Sequence, residues 1–390
     1  MKKQILVAAP ILLYGSLACA QSSMTLYGVL DEGLMFNSNV ATGASQGGHK
    51  VYLDSLNGLF GSRWGMRGVE DLGGGTHAIF DLESGVNLNS GAAAQGGLEF
   101  GRQAWVGLSN RRYGDVTLGR QYDALVYYAQ PVTIQGYLAG EAFQHPGDFD
   151  NTANSLRTNN AIRYASPNFN GLTFGAEWSV GGMPGNVSGN GGYSAGAAYS
   201  NGSVTLGAAF LYFKNPTGST ASSGFFTSNG SGTQLTGILN KGYETAASYQ
   251  VAIVGGTYTL GSVQFGTSWS NVEYGNIAAL GGASAKFNNV DAGVKWTVTP
   301  AFSLGAAYDY AKGDSVWTPG GSVGNQHFNQ VCVLADYFLS KRTDLYVEGA
   351  YQIASGTSST GASAVANIGN AGDSSNGRQA LVRVAIRQKF

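Results

Sequence analysis

Hydrophobic and polar residues alternate one by one along much of this chain. In "TDLYVEGAYQI", residues 343–353, Leu345, Val347 and Tyr351 share one parity, and Asp344 and Glu348 lie on the other. A period of two is typical of a strand with one face toward an apolar medium and one toward water. The same alternation recurs in 77–85 and 301–313. The pattern predicts an all-β, antiparallel fold.

Turn residues divide the alternating segments into about sixteen strands. Short turns rich in Gly, Asn, Asp and Ser alternate with longer polar connections. The predicted strands are 24–38, 57–70, 75–88, 98–110, 114–122, 157–167, 171–181, 191–200, 203–214, 244–260, 261–274, 286–299, 301–313, 326–339, 343–356 and 378–390. The longer connections are 37–57, 88–98, 123–157, 182–191, 214–243, 274–286, 313–326 and 355–377. An even number of strands with short turns at one rim and long loops at the other is typical of a transmembrane outer-membrane β-barrel wide enough to enclose water.

Composition changes the expected number of domains. Residues 21–390 are long enough for two or more soluble domains. However, charged residues make up only 12% of the chain, about half the usual share in soluble proteins. Beyond the first twenty residues no apolar run reaches the length of a membrane helix. Both facts favour a single barrel over 21–390, in which every second strand residue meets lipid.

The first twenty residues predict a secretory signal peptide. Lys2 and Lys3 precede an apolar run that ends in Ala18-Cys19-Ala20, so cleavage is expected after Ala20. Their removal lowers the count of basic residues from 22 to 20, against 23 acidic ones. A slightly acidic mature chain argues against nucleic acid as a partner. Cys332 then has no second cysteine with which to form an intramolecular disulfide.

Several longer motifs resemble the general porins of Gram-negative bacteria, most closely those of betaproteobacteria. They are "MTLYGVLDEGL" (24–34), "GSRWGMRGVEDLGGGTHAIFDLESG" (61–85), "FGRQAWVGLSNRRYGDVTLGRQYD" (100–123), "NNAIRYASPNFNGLTFGAEW" (159–178) and the terminal "RQKF". The resemblance implies a homotrimeric channel of sixteen strands for passive diffusion of small hydrophilic solutes and ions. It also implies periplasmic short turns, extracellular long loops, a third long loop folded into the barrel, and contact with outer-membrane lipids and lipopolysaccharide.

The same resemblance implies a constriction between arginines on the barrel wall and acidic residues on the third loop. The wall candidates are Arg63, Arg67, Arg102 and Arg157, with Arg120 and Arg163 as weaker ones; the loop candidates are Glu141, Asp148 and Asp150. Parity supports Arg63 and Arg67, since it places them on the strand face away from Trp64 and Met66. An alternative interpretation is that the arginines only neutralise carboxylates and carbonyl groups inside the barrel or at a subunit contact. The preference for anions or cations stays open, because only the charges at the narrowest point decide it.

Two other functions are alternatives to a general channel. Outer-membrane enzymes need a histidine paired with Ser, Asp or Asn. The four histidines share no metal-ligand spacing, and none accompanies a G-x-S-x-G motif, so neither catalysis nor a metal or cofactor site is predicted. A substrate-specific channel would need a track of aromatic residues or of one charge sign along the pore, which parity alone does not reveal.

The last predicted strand, 378–390, has two distinct faces. Arg383 and Arg387 lie on one parity, and the apolar parity comprises Val382, Val384, Ile386 and Phe390. We expect this strand to pair with 24–38, because closing the barrel removes its unpaired edges. The terminal Phe390 resembles the signal by which the outer-membrane assembly machinery recognises its substrates. Related porins often have His where this chain has Gln388.

Overall fold

The computed structural model describes residues 22–43, 45–187, 189–218, 224–226 and 233–390. The predicted signal peptide, residues 1–20, lies outside these ranges. Within them, β-strands dominate and the helices are single short turns. No helix among the described residues is long and apolar enough to cross a membrane.

The described ranges contain nineteen β-strands. They are β1 (Ser23–Gly43), β2 (Gln46–Asp54), β3 (Arg63–Gly73), β4 (Thr76–Gly85), β5 (Gln103–Asn110), β6 (Gly114–Gln121), β7 (Thr158–Ala165), β8 (Leu172–Ser179), β9 (Gly192–Ser200), β10 (Val204–Lys214), β11 (Ala246–Leu260), β12 (Val263–Ile277), β13 (Ala283–Thr299), β14 (Phe302–Gly313), β15 (Val316–Thr318), β16 (Gly321–Val323), β17 (Gln326–Phe338), β18 (Thr343–Gly356) and β19 (Arg378–Lys389). The short helical turns are Gln95–Gly97, Leu125–Ala129, Gln130–Val132, Gln135–Ala139, Glu141–Phe143, Pro146–Asp148, Thr233–Leu235, Lys241–Tyr243 and Ala278–Leu280.

The strands close into one antiparallel ring. Each wall strand pairs with its neighbours in sequence, and β1 also pairs with β19. Strands β2 and β3 both pair with β1, at Gly33↔Asp54 and Val29↔Arg63, so together they fill one position in the wall. Strands β15 and β16 form a separate hairpin. The described strands therefore make a sixteen-position barrel, which confirms the predicted fold class.

The last strand shows how the two faces of the wall are used. Val382, Val384 and Ile386 point outward and are 46%, 57% and 48% exposed. Arg383 and Arg387 point inward and are buried. Apolar side chains facing out and polar ones facing in are what a barrel in lipid requires. The parity predicted for this strand is confirmed.

The seam between the first and last strands extends to the final residue. Met35 is paired with Arg383. The backbone amide of Gly28 donates to the carbonyl of Phe390 at 3.2 Å, and the amide of Phe390 donates back at 3.1 Å. Gly28 is required there, because a Cβ at this position would collide with the Phe390 ring. The expected pairing of the two ends of the barrel is therefore observed.

The third loop, residues 122–157, folds into the barrel and packs against one side of its wall. The Tyr249 hydroxyl of β11 donates to the Phe149 carbonyl at 2.6 Å. The Tyr137 hydroxyl donates to the Gly266 carbonyl of β12 at 3.3 Å. Many loop side chains, including Leu125 and Phe143, are fully buried. The predicted inward fold of this loop is confirmed, and open space is left between the loop and the opposite wall formed by β3–β5.

Two local predictions were wrong. Residues 37–57 do not form a long loop, because β1 continues to Gly43 and β2 begins at Gln46. Residues 57–70 do not form one strand, because residues 55–62 leave the wall; we term them the inward segment. The Leu59 amide donates to the Tyr346 hydroxyl at 3.1 Å, and the Ser62 hydroxyl donates to the Asp31 carbonyl at 2.9 Å. These contacts hold the segment inside the barrel.

Candidate functional site

Two cavities follow one another between the third loop and the opposite wall. The loop-side cavity, about 370 Å³, is lined by residues of the loop 87–96, the inward segment and residues 153–157. The turn-side cavity, about 480 Å³, lies toward the short turns. Both are lined by Arg102, Glu141, Ala153 and Asn154. We term these four residues the neck, since they surround the junction of the two cavities.

One carboxylate holds two of the wall arginines. Glu83 on β4 accepts from Arg102 Nε at 2.7 Å and lies 3.9 Å from Arg63 Nε. The Tyr122 hydroxyl donates to the same carboxylate at 2.5 Å and the Tyr27 hydroxyl at 3.1 Å. A carboxylate with three hydrogen-bond donors is fixed in place and fixes the Arg102 guanidinium in turn, while it attracts Arg63 over a longer distance. Arg63 and Arg102 thus have defined positions on the wall of the turn-side cavity.

Glu141 faces these arginines from the third loop. Gln135 Nε2 donates to its carboxylate at 3.2 Å, and its backbone amide donates to the Gly58 carbonyl of the inward segment at 2.9 Å. Burial of the side chain raises the pKa of Glu141 to about 7, although Arg102 and Arg63 act in the opposite direction. The charge of this group therefore changes close to neutral pH.

Arg157 stands at the end of the third loop, just before β7. Its guanidinium donates to the Ser155 carbonyl at 3.3 Å, and no acidic group among the described residues lies within ion-pair distance of it. Burial, together with the nearby positive charges of Arg102 and Arg120, lowers the pKa of Arg157 to about 9. The group remains cationic at neutral pH and lines the loop-side cavity.

The other wall candidates occupy different places. Arg120 is buried behind the neck and donates to the Gly101 carbonyl at 2.8 Å and to Asn159 Oδ1 at 2.5 Å. Arg67 is exposed, with its guanidinium 5.1 Å from the centre of the Tyr27 ring. Arg163 stacks on the Tyr127 ring at 3.7 Å. None of the three lines either cavity in the described part of the chain.

The structure places the two loop aspartates away from the neck. Asp148 accepts from the backbone amides of Ala153 and Ser155 at 2.8 and 3.0 Å. Asp150 accepts from the Ser270 hydroxyl at 2.5 Å and lies 2.6 Å from His145 Nδ1. Their contacts shape the third loop and attach it to β12.

A buried cluster fixes the same part of the loop to the wall. His145 Nε2 lies 3.0 Å from Asp291 and 3.8 Å from Asp309, on β13 and β14. Burial alone would lower the pKa of His145, but Asp150 and Asp309 hold it well above its ordinary value. The imidazolium therefore links loop and barrel through charged hydrogen bonds.

Some residues of the site were not predicted from the sequence. Glu83 falls on the polar parity of "HAIFDLESG", but parity did not reveal that it holds two arginines. Leu59 and Phe60 line the turn-side cavity although the sequence placed them in a lipid-crossing strand. A wall strand that leaves the sheet for eight residues has no periodic signal of its own.

Comparison with known proteins adds three findings. The family model described as "Gram-negative porin" matches residues 6–357. An outer membrane porin protein of Bordetella pertussis is 36% identical over 188 residues, which cover 46% of this chain and 48% of the relative. The chain thus spans about half the length of this curated relative. The major outer membrane protein P.IA of Neisseria meningitidis is 25% identical to this chain over 328 residues, which cover 75% of this chain and 76% of that protein.

Solved structures show the same fold. The anion-selective porin from Comamonas acidovorans superposes with a TM-score of 0.70 at 22% identity, over 95% of this chain and all of that one. The outer membrane protein OmpT of Vibrio cholerae, in its trimer form, superposes with a TM-score of 0.61 at 14% identity, over 95% and 99% of the two chains.

Proposed function

Since this chain belongs to the Gram-negative porin family, whose members are outer-membrane channels and not enzymes, we propose that it is a general diffusion channel with a preference for anions. Its substrates are small hydrophilic solutes and ions that cross by passive diffusion. One observation carries the proposal. The residues that line the two cavities include three arginines, Arg63, Arg102 and Arg157, and two glutamates, Glu83 and Glu141.

The excess of cations gives the combined lining of the two cavities a positive charge. With both glutamates ionised the net charge is one, and it rises toward two as Glu141 takes up a proton. Fixed charge at the narrowest part of a pore favours the oppositely charged ion. Opposed groups on wall and loop also create a field across the passage, which orients water. No bond needs to form or break, so conduction depends only on pore size and on this field.

Conductance in a planar lipid bilayer tests the proposal. The purified protein should give large ohmic currents in KCl. In a KCl gradient, the reversal potential should lie closer to the equilibrium potential of chloride than to that of potassium. Absence of channels would overturn the diffusion function. A reversal potential closer to the equilibrium potential of potassium would overturn the anion preference alone. Block by one solute class at micromolar concentration would favour a substrate-specific channel instead.

The preference for anions is expected to depend on pH. Below about pH 6 Glu141 is protonated and the neck is most positive, so chloride preference should be strongest. Above about pH 8 the carboxylate is ionised and the preference should fall. Reversal potentials measured from pH 5 to pH 8, below the range in which Arg157 loses its charge, should follow this course in the wild type. Glu141→Gln should flatten the curve, whereas Glu99→Gln, at an exposed position outside both cavities, should not.

Assembly and location form the second part of the proposal. Relatives of known structure include a trimer, and we infer a homotrimer in contact with outer-membrane lipid and lipopolysaccharide. We also propose that residues 1–20 are removed on export, and that the assembly machinery recognises β19 through Phe390. The pairing of this residue with Gly28 at the seam supports its importance for closure.

Removal of Phe390 is expected to reduce assembly and to leave conductance unchanged. The deleted residue contributes two backbone hydrogen bonds to the seam but no charge to the neck. The amount of folded protein in outer-membrane fractions measures the effect, and single-channel conductance of the remainder provides the second readout. Phe390→Trp should assemble better than the deletion, because it retains an aromatic ring. Normal membrane levels of the truncated chain would contradict the proposed signal.

A further inference from the structure

The turn-side cavity has an apolar face that ion conduction does not require. It is formed by Leu59 and Phe60 of the inward segment and by Val126 and Pro131 of the third loop. Phe60 is 38% exposed there, although a ring of this size is usually buried. Arg63 and Arg102 line the same cavity. One space therefore offers an apolar surface and two cations.

Cationic groups surround the Phe60 ring. The guanidinium of Arg63 lies 5.5 Å from the ring centre, that of Arg387 5.3 Å, and the ammonium of Lys389 6.0 Å. Arg387 is neutralised by Asp344 at 2.6 Å. In the described part of the chain Arg63 has only the distant Glu83 carboxylate at 3.9 Å, and Lys389 has no ion-pair partner. The ring is thus flanked by positive charge that the protein only partly compensates.

Backbone hydrogen bonds to the barrel wall fix the position of Phe60. Its backbone amide donates to Asp31 Oδ2 at 3.4 Å, and the preceding Leu59 amide is held by Tyr346. Gly58 binds the third loop through Glu141. A preformed apolar surface beside fixed charges is the usual composition of a site for a small organic ion.

We propose that the turn-side cavity is a binding site for aromatic monocarboxylates, which rests on the proposed channel function. The aromatic ring of the solute packs against Phe60 and the apolar side chains next to it, and the carboxylate faces Arg63 and Arg102. Offset or edge contact between two rings adds to the area that they bury. An aliphatic acid lacks the ring contact, a neutral aromatic lacks the ion pair, and an aromatic cation is repelled. The volume of about 480 Å³ accommodates a single-ring acid together with water.

The test is a comparison of benzoate and acetate as blockers of chloride current. Wild-type channels in a planar bilayer are held in KCl, and each acid is titrated to the concentration that halves the current. Benzoate should require a concentration about three- to tenfold lower than acetate. Benzyl alcohol and cyclohexanecarboxylate separate the contributions of charge and aromaticity, and both should block less than benzoate.

Variants of the inward segment locate the site. Phe60→Ala should abolish the difference between benzoate and acetate, and Phe60→Leu should retain part of it. Leu56→Ala is the matched control, because Leu56 belongs to the same segment but lines the loop-side cavity; it should retain the full difference. KCl conductance of each variant shows that the channel has formed.

The outcomes separate this inference from the channel function. No KCl conductance in the wild type would remove the proposed function itself. Normal conductance with equal block by benzoate and acetate would remove only the aromatic site. A benzoate preference that survives in Phe60→Ala would place the site elsewhere and would equally overturn the assignment.

Discussion

Replacement of Arg383 by methionine is expected to lower the free energy of unfolding of the barrel by about 3–5 kcal/mol. Arg383 is fully buried at the seam. Its guanidinium lies 2.9 Å from Asp31 Oδ1, 3.3 Å from Asp54 Oδ2 and 3.7 Å from Glu348 Oε1. Without it, three buried carboxylates lie together with no cation among them, and unpaired buried charge is strongly unfavourable.

Urea unfolding of the protein in detergent, followed by circular dichroism, measures this loss. Arg378→Met is the matched control, because Arg378 lies on the same strand but is exposed, and exposed charges contribute little. Arg383→Lys should give an intermediate loss, since it keeps the charge but not the planar set of donors. If Arg383→Met and Arg378→Met unfold at the same urea concentration, the cluster is not a stabilising element.

Neutralisation of Arg63 and Arg102 together is expected to reverse the ion preference. With Glu141 ionised, the double change to glutamine turns a net charge of about plus one along the two cavities into about minus one, with Arg157 left against Glu83 and Glu141. Both arginines lower the pKa of Glu141, so their loss raises it, and variant and wild type are compared at a pH at which Glu141 is ionised in both. A unit charge about 4 Å from an ion contributes about 1 kcal/mol even in water, with opposite signs for chloride and potassium. After screening by salt, the permeability ratio should change on the order of tenfold or more.

The reversal potential in a KCl gradient measures this change. Arg111→Gln with Arg112→Gln is the matched control, because both residues lie exposed in the turn between β5 and β6 and the total charge of the chain changes equally. That variant should keep the wild-type reversal potential. An unchanged potential in Arg63→Gln with Arg102→Gln would exclude both arginines from the selectivity site.

The wall of this barrel follows from its sequence because lipid imposes a period of two on every strand. The strand predicted at 343–356 coincides with β18, and that at 326–339 ends one residue beyond β17. Seam pairing was predictable for a related reason, since an unpaired edge cannot remain in a bilayer. Local sequence is informative wherever successive residues of a strand face lipid and the barrel interior in turn.

The inward segment shows where this reasoning ends. Leu59 and Phe60 are as hydrophobic as lipid-facing residues, yet they lie inside the barrel because Tyr346 and Asp31 accept their amides. Those partners are distant in sequence and are brought near only by closure of the ring. The stretch 37–57 was mispredicted for the opposite reason, because its glycines and polar side chains resemble a loop while the chain continues as a strand beyond the wall.

The arginines of the site were identifiable, but their partners were not. Parity and family resemblance indicated Arg63, Arg102 and Arg157. Which acids meet them depends on the path of the third loop, and that path is set by contacts such as Asp150 with Ser270. The ion pairs of Asp148 and Asp150 with the wall arginines thus stay predictions that the geometry does not favour, whereas Glu141 lines both cavities beside Arg102.

The seam also determines the order in which the barrel can form. The other neighbours in the wall are far closer in sequence and can pair earlier, whereas the pair of Asp31 and Arg383 joins residues 352 positions apart. Contacts of such long range form slowly, because the intervening chain loses its freedom before the contact contributes. Asp31 and Asp54 consequently remain without their cation until β19 arrives. Closure of the ring is thus a late event in folding, and it depends on delivery of the last strand.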